Sequence, residues 1–210
     1  MIEIVKVENK EQEKEFVMFP FSLYKGCDYW VPPIISEELE SMDREKNPVF
    51  ENAEAEFYIA KKDGVTVGRI AAMVNWVEIE EQKKNKLRFG WYDTIDDLDV
   101  SKKLLESVIE FGKKRKLEFV DGPVGFSNMD KAGLLIEGYE ELNTMITWYH
   151  YPYQKEHLKK LGFSKLAEWV EYKIKIFSAE DAPEKVKKFS KIIQQRYKLK
   201  VLNFKSRKEI

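Results

Sequence analysis

The chain has 210 residues, of which 43% are hydrophobic and 13% aromatic, and a formal net charge of −1. This length suits one domain with a large core, and the composition is that of a folded protein rather than a disordered one. The near-zero charge argues against nucleic acid as a partner. A single cysteine, Cys27, and two histidines exclude disulfide frameworks and cysteine-rich or three-histidine metal sites within one chain.

Charge is distributed unevenly along the chain. Residues 184–210 carry ten Lys or Arg against two Glu, about +8, so residues 1–183 carry about −9. We therefore treat 1–183 as the folded domain and 184–210 as a basic amphipathic tail, a linker or docking segment. The N-terminal sequence MIEIVKVENKEQ lacks the features of a signal peptide, and no stretch approaches the roughly 18 apolar residues of a membrane span. We expect a cytoplasmic protein without a membrane partner.

The first third of the chain is predicted to contain a strand and two helices. Aliphatic residues within 2–7 indicate the strand, and Asn9 is a suitable N-cap for a helix that runs towards Tyr24 and is disturbed at Pro20. A short helix is expected at 36–42, and a turn at Asn47-Pro48.

The segment FYIAKKDGVTVGRIAAMVN, residues 57–75, predicts a β-hairpin. Asp63-Gly64 separates two apolar runs, and this residue pair readily accepts the positive φ angles of a tight turn. Gly68 inside the second strand indicates a bulge or a close backbone approach.

A strand-turn-helix unit follows the hairpin. LRFGWYDT at 87–94 predicts a long strand, and residues 99–116 then change to helical spacing with charged residues on the opposite side. This helix is expected to cover a sheet with Ser101, Leu104, Leu105, Val108, Ile109 and Gly112.

The remaining elements are shorter. EFVDGPV at 118–124 predicts a short strand, TMITWY at 144–149 another, and a helix is expected from Pro152 to Leu161, ended by Gly162. SKLAEWVEYKIKIF at 164–177 alternates like a final strand. The tail predicts a helix with an apolar stripe, which we expect to pack on its own domain, and a strand at 200–205. The stripe comprises Val186, Phe189, Ile192, Ile193 and Tyr197.

This order is an α+β plan with a mixed, mostly antiparallel sheet flanked by helices, and it resembles the GNAT superfamily of N-acetyltransferases. YIAKKDGVTVGRIAAMV at 58–74 is similar to the superfamily's first long hairpin, and YQKEHLKKLGFSKLAEWVEYKI at 153–174 to its helix ending in Leu-Gly-Phe. FPFSLYKGCDYWVPP, NPVFENAEAEFYIA and GLLIEGY resemble a group of bacterial GNAT-like proteins. In that group such a region forms the N-terminal part of a longer chain with a second GNAT-like half.

The resemblance implies an acyl-CoA held along Trp91, Tyr92 and Thr94 and at Ser101. In active members the turn after this strand carries glycines that let backbone N–H groups bind the coenzyme pyrophosphate. Here the turn is TIDDLDVS, residues 94–101, without glycine or a basic residue. Its aspartates would repel a pyrophosphate, and we interpret them as helix caps rather than as a metal site.

Other candidate residues follow from the same comparison. The resemblance places Ser127 and Asn128 at the mouth of the acyl opening, although the glycines and proline of that loop also explain it as a simple turn. Tyr149 and Tyr153 are candidate substrate-binding residues. Leu158 stands where active members carry a tyrosine general acid, and His157 beside it is expected to be an exposed helical residue.

A separate acidic run lies earlier in the chain. Glu78, Glu80 and Glu81 follow the predicted hairpin. We interpret all three as solvated.

Two main functions remain open from the sequence, and a third interpretation makes the basic tail a contact for nucleic acid or an anionic membrane, although packing on its own domain explains its apolar stripe better. The first is an acyl-CoA-dependent N-acyltransferase of unknown substrate, using acetyl-CoA or another acyl-CoA and no metal. The alternative is a non-catalytic GNAT-like structural or regulatory domain of a longer two-domain protein that has lost the usual coenzyme loop. A second GNAT-like domain or a homo-oligomer is the expected partner, and the basic tail could serve as its docking segment.

Overall fold

Five strands form one sheet in the order β1-β2-β3-β4-β5 in the computed structural model, which describes residues 1–127, 129–175, 178–200 and 202–206. The first four strands pair antiparallel, and β5 pairs parallel to β4. The strands are β1 (Ile2–Lys6), β2 (Ala53–Lys62), β3 (Val65–Asn75), β4 (Lys86–Thr94) and β5 (Phe119–Asp121). The predicted mixed, mostly antiparallel sheet is confirmed.

Six α-helices accompany the sheet in the described part of the chain. They are α1 (Lys10–Leu23), α2 (Ile35–Met42), α3 (Trp76–Glu80), α4 (Leu98–Lys114), α5 (Pro152–Lys160) and α6 (Glu184–Tyr197), and short 3-10 turns lie at Pro48–Glu51 and Ala179–Asp181. As predicted, Asn9 caps α1, because its side chain accepts a hydrogen bond from the Gln12 N–H at 3.0 Å. Gly162, at φ 91°, follows the end of α5.

The predicted hairpin is β2 and β3. Asp63 and Gly64 have φ values of 53° and 81°, the left-handed conformation that a two-residue turn requires. The strand register shifts beyond the pair Ala60–Gly68, so the expected irregularity at Gly68 is confirmed. A Cβ on Gly68 would lie 2.9 Å from Leu104 Cδ1 of α4, and glycine therefore allows the helix to approach the sheet closely.

The two faces of the sheet carry different cores. One face packs against α4 and α5 through Ile70, Phe89, Leu104 and Leu158. The other packs against α1 and α2 through residues such as Phe16. Because successive side chains of a strand point to opposite faces, adjacent residues of β4 enter different cores.

Three predicted strands are absent from the described residues. Residues 144–149 contain a turn at 145–146 and no strand. Residues 164–175, 199–200 and 202–205 have no regular structure, and residues 176, 177 and 201 lie outside the description. Met145 and Tyr172 are exposed by 92% and 81%. Alternating sequence alone does not make a strand, since a strand also needs a neighbour to bond with.

The interpretation of the acidic run as solvated is wrong for Glu78. This side chain is only 6% exposed and accepts two hydrogen bonds from the Arg88 guanidinium, at 2.7 and 2.8 Å. Arg88 and the nearby Lys86 hold the pKa of Glu78 below its usual value in spite of its burial, which acts in the opposite direction. Glu80 and Glu81 are exposed.

The chain divides into two compact units, Met1–Trp169 and Val170–Ile210. The first contains the sheet with α1 to α5, and the second contains α6. In the described part of the chain, no helix combines the length and the apolar character needed to span a membrane.

Candidate functional site

A bulge interrupts the central strand β4. Ala71 pairs with Gly90 and Arg69 with Asp93, so that Trp91 and Tyr92 together lie opposite the single residue Ile70. Trp91 has a φ of 47°, an uncommon value for a bulky residue. Bulges of this kind bend a strand and redirect its side chains, and they are frequent beside active sites.

The edge of β4 that faces β5 is only partly paired with a strand. The parallel ladder ends at Arg88 and Asp121, and one more backbone bond joins Val124 N–H to Phe89 O at 2.8 Å. A Cβ on Gly90 would lie 2.7 Å from Val124 O, so the loop after β5 lies close against the strand there.

Side chains of α5 bond to this edge farther along. Gln154 Nε2 donates to Tyr92 O at 3.0 Å, and the Tyr153 hydroxyl donates to Thr94 O at 2.7 Å. Gln154 Oε1 in turn accepts from the Tyr151 N–H at 2.8 Å. The start of α5 therefore occupies the place where a neighbouring strand or an extended ligand would bond.

A buried polar network joins β4, α4 and α5 on one face of the sheet. Ser101 Oγ lies 2.9 Å from His157 Nδ1 and accepts a hydrogen bond from the Tyr92 hydroxyl at 2.9 Å. Thr94 Oγ1 lies 3.3 Å from the same Ser101 oxygen. His157 Nε2 lies 3.2 Å from Asp96 Oδ1. Ser101 and His157 are 0% and 4% exposed, whereas the Asp96 side chain is 69% exposed.

The hydrogen-bond chemistry orients this network. A carboxylate only accepts, so His157 donates from Nε2 to Asp96, and in a neutral ring Nδ1 then accepts the Ser101 hydroxyl proton. Burial raises the pKa of Tyr92 to about 12, which keeps its hydroxyl protonated as a donor to Ser101. The arrangement connects the buried interior beside β4 to a carboxylate at the surface.

A second network lies on the opposite face. Arg69 Nε donates to Asp93 Oδ2, and the Tyr24 hydroxyl donates to Asp93 Oδ1, both at 2.7 Å. Arg69 also donates to Phe16 O at 3.1 Å. Burial, and next the charge of Asp93, raise the pKa of Tyr24 well above its usual value. His150 is 1% exposed, and burial lowers its pKa to about 4, so it is neutral at physiological pH.

The acidic turn between β4 and α4 is engaged within the chain itself. Asp97 caps α4 by accepting from the Asp99 N–H at 3.0 Å, and its other oxygen lies 3.0 Å from Lys62 Nζ. Lys62 holds the pKa of Asp97 below its usual value, helped by backbone donors of the first helical turn. The helix N-terminus that binds phosphate in other folds is thus occupied by a side-chain carboxylate.

The structure brings most of the sequence-derived site residues together around β4. Tyr92, Thr94 and Ser101 belong to one network, and Tyr153 bonds to the strand edge. Trp91 points to the other face, where its Nε1 donates to Glu38 at 2.7 Å.

The other predicted site residues lie in loops. The Tyr149 hydroxyl donates to Tyr139 O at 3.2 Å, and its ring meets that of Tyr24 edge-on. The Ser127 N–H donates to the Asp130 carboxylate at 2.8 Å within its own turn. Asn128 lies outside the described residues.

Sequence reasoning missed several residues of the site. The expectation that His157 is exposed is wrong, because the side chain lies between α4 and α5 in contact with Ser101. Arg69, Asp93 and Gln154 also were not identified. Their partners are distant in the chain, so only the polar character of residues in apolar stretches could have drawn attention to them.

No cluster of three or more metal-ligating His, Cys, Asp or Glu side chains occurs among the described residues. The groups available near β4 are hydrogen-bond donors, hydroxyls and paired charges. Such groups can orient a polar ligand and exclude water from it.

Comparisons with known proteins identify relatives that are longer than this chain. No family model matches it. Protein YghO of Escherichia coli strain K12 is 32% identical over 167 residues, which are 78% of this chain and 43% of that protein. The bacterial ceramide synthase of Caulobacter vibrioides is 23% identical over 174 residues, 82% of this chain and 45% of the enzyme. The chain thus spans less than half the length of these curated relatives.

Solved structures with a similar chain path include acetyltransferases. A transcriptional regulator from Bacillus halodurans C-125 has a TM-score of 0.50 and 12% identity, over 83% of this chain and 100% of that one. A predicted acetyltransferase from Clostridium acetobutylicum, solved with acetyl-CoA, has a TM-score of 0.49 and 12% identity, over 82% and 96%. A GNAT-family acetyltransferase from Staphylococcus aureus Mu50 has a TM-score of 0.42 and 17% identity, over 59% and 74%.

The similarity to the Bacillus halodurans structure is one of fold alone, and the sheet itself defines that fold. Its first four strands are antiparallel, its last is parallel to a bulged central strand, and a long helix follows that strand directly. The described part of the chain therefore has a mixed α+β fold, with a mostly antiparallel sheet flanked by helices, and shares its chain path with the Bacillus halodurans structure.

Proposed function

We propose that this chain is part of an acyl-CoA-dependent N-acyltransferase. The observation that carries the proposal is the strand β4 itself, which bulges at Trp91 and Tyr92 and whose ladder with β5 ends at Arg88. An extended acyl-CoA arm with amide groups suits such an edge, because it can exchange the same hydrogen bonds as a strand. The proposed coenzyme contacts are Trp91, Tyr92, Thr94 and Ser101.

In the proposed reaction an amine nitrogen attacks the thioester carbonyl carbon. The carbon–nitrogen bond forms, the carbon–sulfur bond breaks, and the proton lost by the amine is taken up by the leaving thiolate, so that an amide and free CoA result. The contribution of this chain is to align the thioester along β4 and to keep water away from it. Backbone N–H groups at the bulge are suited to stabilise the negative charge that develops on the carbonyl oxygen.

The start of α5 must yield for this ligand to bind. Gln154 and Tyr153 already donate to Tyr92 O and Thr94 O, and an acyl-CoA arm would replace these donors with its own amide groups. The strand carbonyls keep a donor in this exchange, and the displaced Gln154 amide and Tyr153 hydroxyl need new acceptors from the ligand or from water. Tyr149 and Tyr153 would then lie beside the acyl group or its acceptor, with Ser127 and Asn128 proposed at the mouth of the opening.

The acidic turn implies a different pose for the pyrophosphate. Asp97 already caps α4, and its charge together with that of Asp96 repels a phosphate at the usual position. We propose that the pyrophosphate lies displaced from the helix N-terminus.

One relative supports the reaction class. The bacterial ceramide synthase of Caulobacter vibrioides carries a name that specifies formation of an N-acylated long-chain amine. We therefore propose that the whole protein acylates an amine. Long-chain amines should be among the first acceptor substrates that are tested. A second GNAT-like domain is the proposed partner that completes the enzyme.

Titration calorimetry of the 210-residue chain with acetyl-CoA and with a long-chain acyl-CoA tests the proposal, with ATP and free CoA as controls. Binding at micromolar strength, about −8 kcal/mol, is the expected result. The variant Asp96→Asn/Asp97→Asn keeps both hydrogen-bond acceptors and should tighten binding several-fold because it removes two negative charges. Glu106→Gln, which removes the same kind of charge farther along α4, should change binding little.

Absence of binding to any acyl-CoA, in the chain and in the double variant, would contradict the proposal. The chain would then be the non-catalytic GNAT-like domain of a longer protein. Where binding is found, release of CoA in the presence of amines gives the activity. Cys27→Ser is a suitable control in that assay, because reagents that detect free CoA also react with accessible cysteine thiols.

A further inference from the structure

The C-terminal unit presents a basic amphipathic helix, α6. Its apolar residues repeat at helical spacing, and they remain largely exposed, by 57% at Val186, 55% at Phe189, 43% at Ile193 and 62% at Tyr197. The expectation that this stripe packs on its own domain stays a prediction. An apolar stripe of this length on a helix surface needs a partner.

The end of α6 extends the stripe. Lys198 adopts the left-handed conformation at φ 50°, and the Leu199 N–H then bonds back to Gln194 O at 3.0 Å. This C-cap places Leu199 beside Phe189 and Ile193 along one shallow apolar groove. Five apolar side chains therefore share one face.

Positive charge borders this face on the helix. By helical spacing Lys185 and Arg196 fall between Phe189 and Ile192 at one edge of the stripe, and Lys188 and Lys191 lie farther round towards the opposite side. The one acidic residue of α6, Glu184, lies 3.0 Å from Lys187. Residues 184–210 as a whole carry about +8.

We propose that α6 binds the surface of an anionic lipid bilayer. An apolar stripe with Val, Ile, Phe and Tyr, bordered by Lys and Arg, is the pattern of a helix that lies in a membrane interface with its apolar side among the lipid tails. The cations meet anionic headgroups in that orientation. With 14 residues α6 is about 21 Å long, too short to cross a bilayer, so the contact is peripheral.

The arrangement fits lipid better than nucleic acid. Proteins that bind single strands place cations along a groove and stack bases on aromatic rings. Here the centre of the face is mostly aliphatic, and the cations stand at its margin. In both charge and polarity, α6 is therefore complementary to a surface that has an anionic layer above an apolar one.

Flotation of the 210-residue chain with phosphatidylcholine vesicles, with and without phosphatidylglycerol, tests this proposal. We expect binding only to the phosphatidylglycerol vesicles, weakened by salt. Phe189→Asp should lower the partition coefficient about tenfold or more, because it puts a carboxylate on the apolar stripe. Gln195→Asp is the matched control, since it adds the same charge to the opposite side of α6 and should change partition only slightly.

Other outcomes would overturn the proposal. These are failure to float with anionic vesicles, equal binding to uncharged vesicles, and binding that is the same for Phe189→Asp as for the unchanged chain. Binding to duplex or single-stranded nucleic acid in place of vesicles would identify a different partner. So would a dimer, seen by light scattering, that Phe189→Asp dissociates while vesicle binding is absent. The assay contains no acyl-CoA, so its result is independent of coenzyme binding.

Discussion

The polar residues around β4 are buried in pairs and chains. In the described part of the chain, every fully buried side-chain nitrogen or oxygen has a hydrogen-bond partner. Arg69 and Asp93 are the clearest case, because their side chains are only 4% and 8% exposed. Removing one member of such a pair leaves the other charge buried and uncompensated.

Asp93→Asn keeps the shape of the side chain and removes its charge. We expect a loss of about 3–5 kcal/mol in the free energy of unfolding, measured by urea denaturation, because Arg69 keeps a buried charge without a counter-ion. Tyr24→Phe, which removes only the hydroxyl that donates to Asp93, should cost about 1–2 kcal/mol. Equal losses in the two variants would contradict the role of the ion pair.

His150 makes a pH-dependent contribution to stability. Burial lowers its pKa to about 4 from an ordinary value of 6.5. Between these values the unfolded chain binds a proton that the folded chain does not, so this contribution is complete above pH 6.5 and is lost as the pH falls towards 4. The full loss is about 3 kcal/mol. The stability difference between the chain and His150→Gln should therefore change over this range, whereas parallel curves would disprove the assignment.

At the scale of single elements, the start of α4 matters both for the stability of the helix and for ligand binding. Asp97 caps the helix, and Lys62 of β2 pairs with the capping carboxylate. The side chain thus stabilises the element and also occupies the helix end at which a phosphate would bind.

Asp97→Ala should cost about 1 kcal/mol of unfolding free energy, as expected for a lost N-cap. Asp99→Ala is the internal control, because Asp99 is exposed in the same turn and contributes mainly through the helix dipole, a few tenths of a kcal/mol. Thermal denaturation of both variants measures the difference. If Asp99→Ala cost as much as Asp97→Ala, the cap would not be the cause.

At the scale of the whole molecule, the two units differ in how much of their apolar surface is covered. The unit Met1–Trp169 contains both cores, whereas Tyr172, Ile174 and Phe189 of the unit Val170–Ile210 remain exposed. The segment 164–175, which includes the end of the first unit, has no regular structure and is exposed.

Limited digestion with trypsin should cleave this segment first. Lys165, Lys173 and Lys175 lie in exposed chain without helix or strand bonds, whereas Lys102 and Lys103 are exposed but held in α4. Proteases require local unfolding, which costs little in the first case and much in the second. Mass spectrometry should identify an N-terminal fragment ending between 165 and 175. Early cleavage at Lys102 or Lys103 would contradict the stability assigned to α4.

What could be predicted from the sequence was mainly local. Asn9 and Gly162 were found at the ends of α1 and α5 because caps depend on residues a few positions apart. The hairpin turn at Asp63-Gly64 depends on the φ angles of two residues. The prediction of a strand at 164–177 is wrong over its described residues. A strand must pair with a neighbouring strand, and the local pattern does not specify one.

By itself, then, the sequence determined the turns, the caps, most of the buried face of α4, although not the exposed Ile109, and the acidic turn after β4, each set by the chemistry of nearby residues. Only the tertiary structure decided which polar residues meet beside β4. Ser101 and His157 are 56 residues apart in the chain, and Tyr24 and Asp93 are 69 apart. Their contacts follow from the packing of α1, α4 and α5 on opposite faces of the sheet, and no local pattern specifies that packing.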